Sequence, residues 1–136
     1  MTTKKKELIV TSALPYANGP LHFGHLLEHI QTDIWVRAQR ILGNRCIYLC
    51  ASDAHGTPIM MKAEEENVPP EKLVDKYMKE HKKTLEAFQV SHDCYYQTHS
   101  EENKKYSELI YNAALKNGFI SKKILSNFLM KKKNYF

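Results

Sequence analysis

Three histidines and a glutamate fall within eight positions, in "HFGHLLEH" at residues 22–29. Two chemistries could use them. His25, Glu28 and His29 spell H-x-x-E-H, the inverted metalloprotease pattern in which both histidines hold zinc. His22, Gly24 and His25 spell H-x-G-H. At the mouth of a helix that arrangement suits a nucleotide phosphate, because unpaired N–H groups and the positive dipole end favour an anion. Both rings add donors at the same spot. Gly24 leaves no side chain where a ligand would press on the backbone, and Gly19 is expected to give the preceding turn unusual backbone angles. Nucleotidyl transfer depends on positioning and on stabilising charge at phosphate oxygens, which paired histidines can supply without a metal.

The zinc pattern needs a third protein ligand and a general base. Glu101 or Glu102 could be offered, but nothing in the sequence selects either. A zinc helix also has no need of a strand and an Asn-Gly-Pro turn directly upstream. The bland alternative is histidines on a solvated helix face. The surroundings favour the anion site, with Glu28 and His29 completing the zinc pattern by coincidence.

The elements that must position these residues can be read from spacing. "ELIVTSAL", residues 7–14, reads as a strand. "PYANGP", residues 15–20, is dense in breakers and reads as a turn. From His22 to Leu42 the spacing is helical, with Leu27, Ile30, Ile34, Ala38 and Ile41 as the apolar stripe and His25, Glu28 and His29 on the opposite side. Gly43-Asn44 is a stop signal. "CIYLCAS", residues 46–52, reads as a second strand. Thr57 as cap and Pro58 at the first helical position open the next helix, which Pro69-Pro70 ends. Residues 71–88 and 101–115 are helical again, the last closing at Asn117-Gly118. Strand, helix, strand and further helices imply an α/β domain with a parallel sheet. Ligands collect at the carboxyl ends of such strands. The turn and helix start after the first strand lie there, and so does "SDAHGTP" after the second. Asp53 then faces the two histidines across one crevice.

Composition bounds the class. The 136 residues are 43% hydrophobic and 26% charged, a globular balance. No apolar run approaches the ~20 residues of a membrane span, and "MTTKKKELIV" has no secretory core or cleavage site, so a cytoplasmic chain is expected. Cys46, Cys50 and Cys94 are odd in number and form no C-x-x-C pair, which argues against disulfides and against a thiolate zinc site. They are expected to be buried small hydrophobes. The net charge of +5 comes from the ends: Lys4, Lys5 and Lys6 in front, and Lys116, Lys122, Lys123, Lys131, Lys132 and Lys133 behind. The stretch 7–115 has 11 basic and 15 acidic residues. No basic face with interleaved aromatics marks an RNA platform.

"ALPYANGPLHFGHLLEHIQTDIWVR", residues 13–37, closely resembles the signature region of the methionyl-tRNA synthetases, which are class I aminoacyl-tRNA synthetases. "CASDAHGTPIMMKA", residues 50–63, resembles the second block of that family, and "THSEENKKYSELIY", residues 98–111, a third. The likeness runs from about residue 7 to 120. Related class I synthetases share the H-x-G-H element, while the Asp-Ala-His-Gly-Thr-Pro wording and the Leu-Pro-Tyr-Ala-Asn-Gly turn point to the methionine enzyme. The resemblance implies the N-terminal half of a Rossmann-like nucleotide-binding fold. It implies activation of methionine by ATP, with magnesium, and transfer of the methionyl group to tRNA(Met). The signature would comprise Pro15, Tyr16, Ala17, Asn18, Gly19, Pro20, Leu21, His22, Phe23, Gly24 and His25. Within it, Asn18, Gly19, His22, Gly24 and His25 would bind ATP, and His22 and His25 would stabilise the α-phosphate. Leu14 and Tyr16 would line the methionine pocket, an apolar and aromatic surround that suits a thioether. Asp53 would receive the methionine ammonium group. Asp53 could instead be a cap or loop acid, Tyr16 a packed turn aromatic, and His55 a purely structural loop residue.

Family members are several times longer. They carry a connective insert with a zinc knuckle, a mobile Lys-Met-Ser-Lys-Ser-type loop and a helical anticodon domain. The expectation is that residues 1–118 are the N-terminal part of the catalytic domain and 119–136 the lysine-rich start of the insert. Zinc would belong only to the rest of that insert. "MKKKNYF", residues 130–136, lacks the serines of the mobile loop, and Leu129-Met130 departs from the polar turn expected there. The chain is expected to be a fragment with little activity alone, or one that pairs with a chain carrying the rest. A stand-alone ATP-binding remnant is the alternative, and a zinc hydrolase the remote one.

Overall fold

The computed structural model describes residues 5–123. Its elements are β1 (Glu7–Thr11), α1 (Phe23–Ile41), β2 (Arg45–Ser52), α2 (Thr57–Glu66), α3 (Pro70–Ala87), β3 (Cys94–Gln97) and α4 (Glu101–Lys116). The three strands form one parallel sheet in the order β1-β2-β3, with Leu8 beside Cys46 and Cys50 beside Tyr95. Helix α1 links β1 to β2, and α2 with α3 links β2 to β3, as parallel neighbours require. The α/β class and the parallel sheet are as the sequence implies. A second compact unit begins at Glu102, and α4 there has no buried residue. The expectations on Lys4, Leu129-Met130 and the 130–136 tail lie outside the described residues.

Two core clusters hold the first unit. One joins Val36 of α1, Cys46 and Tyr48 of β2, Leu85 of α3 and Val90. The other packs Ile59, Ala63, Leu73 and Val74 of α2 and α3 against Ala17 and Ala54. Those two alanines lie in the two motif loops, so the second core seats the loops directly. Small side chains there let the loop backbones approach the helices.

Several details depart from the sequence reading. Strand β1 stops at Thr11, but the chain rejoins the sheet at Tyr16, which bridges Asp53 in parallel. Ala17 N–H donates to Asp53 O and Asp53 N–H donates to Pro15 O, both at 2.8 Å. The breaker-rich segment is therefore half strand, and the turn is confined to residues 17–19. Pro15 fits because only its carbonyl is needed by the ladder.

The apolar stripe assigned to α1 holds only in part: Ile30 packs against the core, but other members do not. Ile34 is 62% exposed and Ile41 85% exposed, while the buried residues are His29, Asp33 and Val36. The inward face is mixed: Val36, Leu26 and Ile30 meet the apolar core, while His29 and Asp33 are buried against polar partners. Asp33 accepts from Ser91 N–H at 2.7 Å and from Arg37 at 2.5 Å. Desolvation pushes the Asp33 carboxyl up, but the bonds from Arg37 and Ser91 outweigh it and hold the group below its usual range. Arg40 reaches Asp93 at 2.6 Å, and Asp93 accepts from Tyr48 N–H at 2.6 Å. These bonds tie the loop before β3 to α1.

Helix α2 begins at Thr57, but its cap is Gly56 and no side chain caps it. It ends at Glu66 on a left-handed Asn67, and the two prolines instead start α3, with Pro70 in its first turn. Strand β3 has no counterpart in the sequence reading. Its four residues are too short for periodicity, and it forms because β2 offers an unpaired edge. Cys46 and Cys50 are buried as expected, but Cys94 is exposed on that edge strand.

Candidate adenylate-forming site

The helix α1 runs back along the sheet, so its first turn lies at the carboxyl ends of β1 and β2. His22 is its cap residue, in extended conformation. His22 Nδ1 accepts from Gly24 N–H at 3.1 Å, and His25 Nδ1 accepts from His22 N–H at 3.3 Å. The two rings stack at 3.7 Å between centroids and 19° between planes. This is a reciprocal capping box made of histidines instead of serine and glutamate.

The box fixes the chemistry of both rings. A nitrogen that accepts from a backbone N–H carries no proton, so each neutral imidazole keeps its proton on Nε2. Two Nε2–H donors are therefore left for a ligand. Burial, then the neighbouring His22 and His81, push the His25 pKa down, partly offset by Glu28. The neutral, donating form is thus favoured. No acidic residue occupies the first turn to cancel the dipole there.

Gly24 has a local reason to be glycine. A Cβ at that position would stand 3.0 Å from His22 Cε1 and 3.1 Å from His22 Nδ1. It would press on the ring that caps the helix. Gly19 is different: its φ is not left-handed and a Cβ there would meet nothing. The expected unusual backbone at Gly19 is not found. What matters is its carbonyl, which accepts from His81 Nε2–H at 2.7 Å.

His81 of α3 was not singled out by sequence, and it is fully buried. Because Nε2 donates, Nδ1 must accept, and it does so from Ser52 Oγ–H at 3.0 Å. Ser52 Oγ in turn accepts from Tyr95 at 2.9 Å. The chain Tyr95–Ser52–His81–Gly19 thus pins the signature turn to the end of β2. A lone histidine within a charged helix gave no signal of this. The unusual serine at a buried strand end was the available clue.

The second loop carries the acid. Asp53 is half-buried, and among the described residues no cation pairs with its carboxylate. His55 N–H donates to Oδ1 at 3.4 Å and Thr98 Oγ1 lies 3.5 Å away. Both are long contacts that orient the group without neutralising it. Tyr16 and Asp53 sit side by side through their bridge. The Tyr16 hydroxyl donates to the His55 carbonyl, and its ring packs on the α2–α3 core. Gly56 is the unrecognised partner: φ is +123°, and a Cβ would lie 2.1 Å from the Tyr16 hydroxyl oxygen. His55 is held by its loop, with Nε2 3.3 Å from Thr98 O. Leu14 is 40% exposed beside this end of the sheet. Asn18 is half-buried in the turn.

The metalloprotease pattern does not assemble. Glu28 is spent on Ala13 N–H at 2.5 Å, His25 on His22, and His29 turns inward. Among the described residues, His25 and Glu28 belong to no cluster of metal-ligating atoms. No described helix is long and apolar enough to cross a membrane.

The structure of Mycobacterium tuberculosis methionyl-tRNA synthetase bound by methionyl-adenylate superposes with a TM-score of 0.80 at 25% identity, covering 84% of this chain and 22% of that one. The Agrobacterium radiobacter K84 agnB2 LeuRS, in a ternary complex with tRNA and LeuAMS, gives 0.79 at 19% identity, covering 86% and 15%. The second likeness is one of fold. The chain thus spans about a fifth of the length of the methionyl enzyme it resembles. A family model, "tRNA synthetases class I (M)", matches residues 8–136. With a histidine-capped helix and a parallel sheet already in place, the chain belongs to the class I tRNA synthetase (M) family.

Proposed function

We propose that this chain carries the amino-acid and α-phosphate part of a methionine–tRNA ligase site. The observation that carries the reading is the histidine capping box, which leaves two Nε2–H donors at a helix N-terminus. In the reaction, a methionine carboxylate oxygen attacks the α-phosphorus of ATP, the bond to the β-phosphate oxygen breaks, and pyrophosphate leaves with its electron pair. His22 and His25 donate to the α-phosphate oxygens as charge builds there, and Asn18, Gly19 and Gly24 line the nucleotide side. Asp53 holds the ammonium group, and Leu14 and the fixed Tyr16 ring bound the thioether. The methionyl group then passes to tRNA(Met). Magnesium enters with ATP, and zinc is reserved for the connective insert, which residues 119–136 would begin after a catalytic part at 1–118. The cytoplasm is where these substrates meet.

The test is binding of non-hydrolysable methionyl- and leucyl-adenylate analogues to the purified chain. A preference of about tenfold or more for the methionyl form, worth ~1.4 kcal/mol, is expected. Equal affinities overturn the methionine assignment. ATP binding that ignores methionine altogether would leave only a nucleotide-binding module.

A further inference from the structure

We propose that His29, Cys50 and His92 form a metal site for a soft d10 ion of the zinc type, separate from the substrate site. The three come from α1, β2 and the loop before β3. One imidazole nitrogen from each histidine and the Cys50 sulfur all lie within 4.8 Å of one another. His29 Nδ1 and His92 Nε2 are 3.4 Å apart. Tetrahedral zinc, with bonds of about 2.0–2.1 Å to nitrogen and 2.3 Å to sulfur, separates two nitrogens by about 3.3 Å and a nitrogen from sulfur by about 3.5 Å. The two nitrogens already stand at that spacing, and the sulfur, within 4.8 Å of both, would move in to bond.

His29 is 1% exposed, so its Nδ1 is held inside the protein, facing His92 Nε2 and Ser12 Oγ. The Cys50 thiol has long contacts to backbone carbonyls, 3.8 Å to Ser12 O, 4.0 Å to Ala13 O and 3.8 Å to Ala51 O. Ser12 Oγ lies 3.1 Å from His29 Nδ1 and 3.5 Å from Cys50 Sγ, within reach of a fourth, weaker position. Burial keeps both imidazoles neutral, with His92 pushed down to about 4. Neutral imidazole is the form that ligates. Two imidazoles and a thiolate select zinc-type ions over magnesium or calcium.

Burial of His29 and Cys50 screens two of the three ligands from water. The half-buried His92 lines an open cleft with Leu85, Val90, Asp93 and Tyr95, which gives the ion a way in. On binding, the Sγ–metal bond forms as the Cys50 thiol gives its proton to solvent, one proton per ion. The bound ion would clamp α1 to the sheet, and α1 carries His22 and His25 at its start. The three ligands are scattered at positions 29, 50 and 92, so no spacing motif announces them, which is why cysteine counting argued against such a site.

The test is titration of the chelator-stripped chain with cobalt(II), followed by displacement with zinc(II). Expected are one ion per chain, a thiolate-to-cobalt charge-transfer band in the near ultraviolet, its loss on adding zinc, and one proton released per ion. Cys50→Ser should abolish the band, and His92→Gln should weaken binding about 100-fold, on the scale of lost metal contacts. Circular dichroism reports whether each variant folds. If Cys50→Ser does not fold, the half-buried His92→Gln and the wild-type proton count still decide. Absence of the thiolate band in the wild type overturns the site. So does a titration unchanged in both variants, whether the ion then sits on surface histidines or nowhere.

Discussion

His25 and His29 are four residues apart on α1 and so share one face of the helix, yet they live in different media. His25 lies near the solvent, capped back onto His22, with Nε2 free for a ligand. His29 is buried among Ser12, Tyr48 and Cys50. The difference is position along the axis. Strand β1 ends at Thr11, and Ser12 just beyond it meets His29. His22 and Gly24, at the start of the helix, are exposed. One turn of helix separates a ligand-facing donor from a core residue. His81 belongs to the inner class, since both of its nitrogens are spent on the protein.

The sharpest way to break this contrast is to truncate one histidine of each class. His81→Ala removes a buried ring and leaves Ser52 and the Gly19 carbonyl unpaired, so it should cost about 3 kcal/mol, measured as a shift of the denaturant midpoint. His25→Ala should cost about 1 kcal/mol, the scale of a helix cap. Similar losses for the two would erase the distinction.

The same pair should differ in ligand affinity. His25→Ala removes a charge-assisted donor and should weaken the methionyl-adenylate analogue about 10- to 100-fold, read by calorimetry. A wild-type affinity in that variant would take His25 out of the phosphate site.

A smaller effect separates the two loops. Gly56→Ala forces the Tyr16 hydroxyl aside, because the new Cβ would lie 2.1 Å from it at φ +123°. Affinity for the methionyl analogue should fall about tenfold while ATP binding changes by less than about twofold, a difference of ~1 kcal/mol. Equal losses for both ligands would mean that Tyr16 does not wall the amino-acid side.

The mildest test is pH. Burial, opposed by the Gly19 bond, lowers the pKa of His81 below the ordinary histidine value. The unfolded chain therefore takes up the proton first. Stability from this group is full above about 6.5 and declines as pH falls below it, levelling off once the folded-state pKa is passed. His81→Gln should flatten that acid limb in thermal melts. An unchanged slope would assign the acid sensitivity elsewhere.

These contrasts mark what was legible beforehand. The H-x-G-H spacing, the strand upstream and the acid after the second strand sufficed to propose a phosphate site, because helix termini and strand ends are local features. The inward face of α1 was misread in part because hydrophobic periodicity assumes an apolar partner. Here the helix packs Asp33 and His29 against polar groups from Ser91, Arg37 and Ser12, residues up to 58 positions away.

By itself the sequence determined the α/β class, the helix that presents His22 and His25, and the family likeness of its loops. Local propensity and short motifs carry that much, since their causes lie within a few residues. Only the tertiary structure decided that Gly56 leaves room for the Tyr16 hydroxyl and that His81 fastens Gly19. It also gathered His29, Cys50 and His92 into one cluster. Each of those relations joins side chains whose meeting depends on how helices and strands are laid together, and side-chain geometry at that range is not written in spacing.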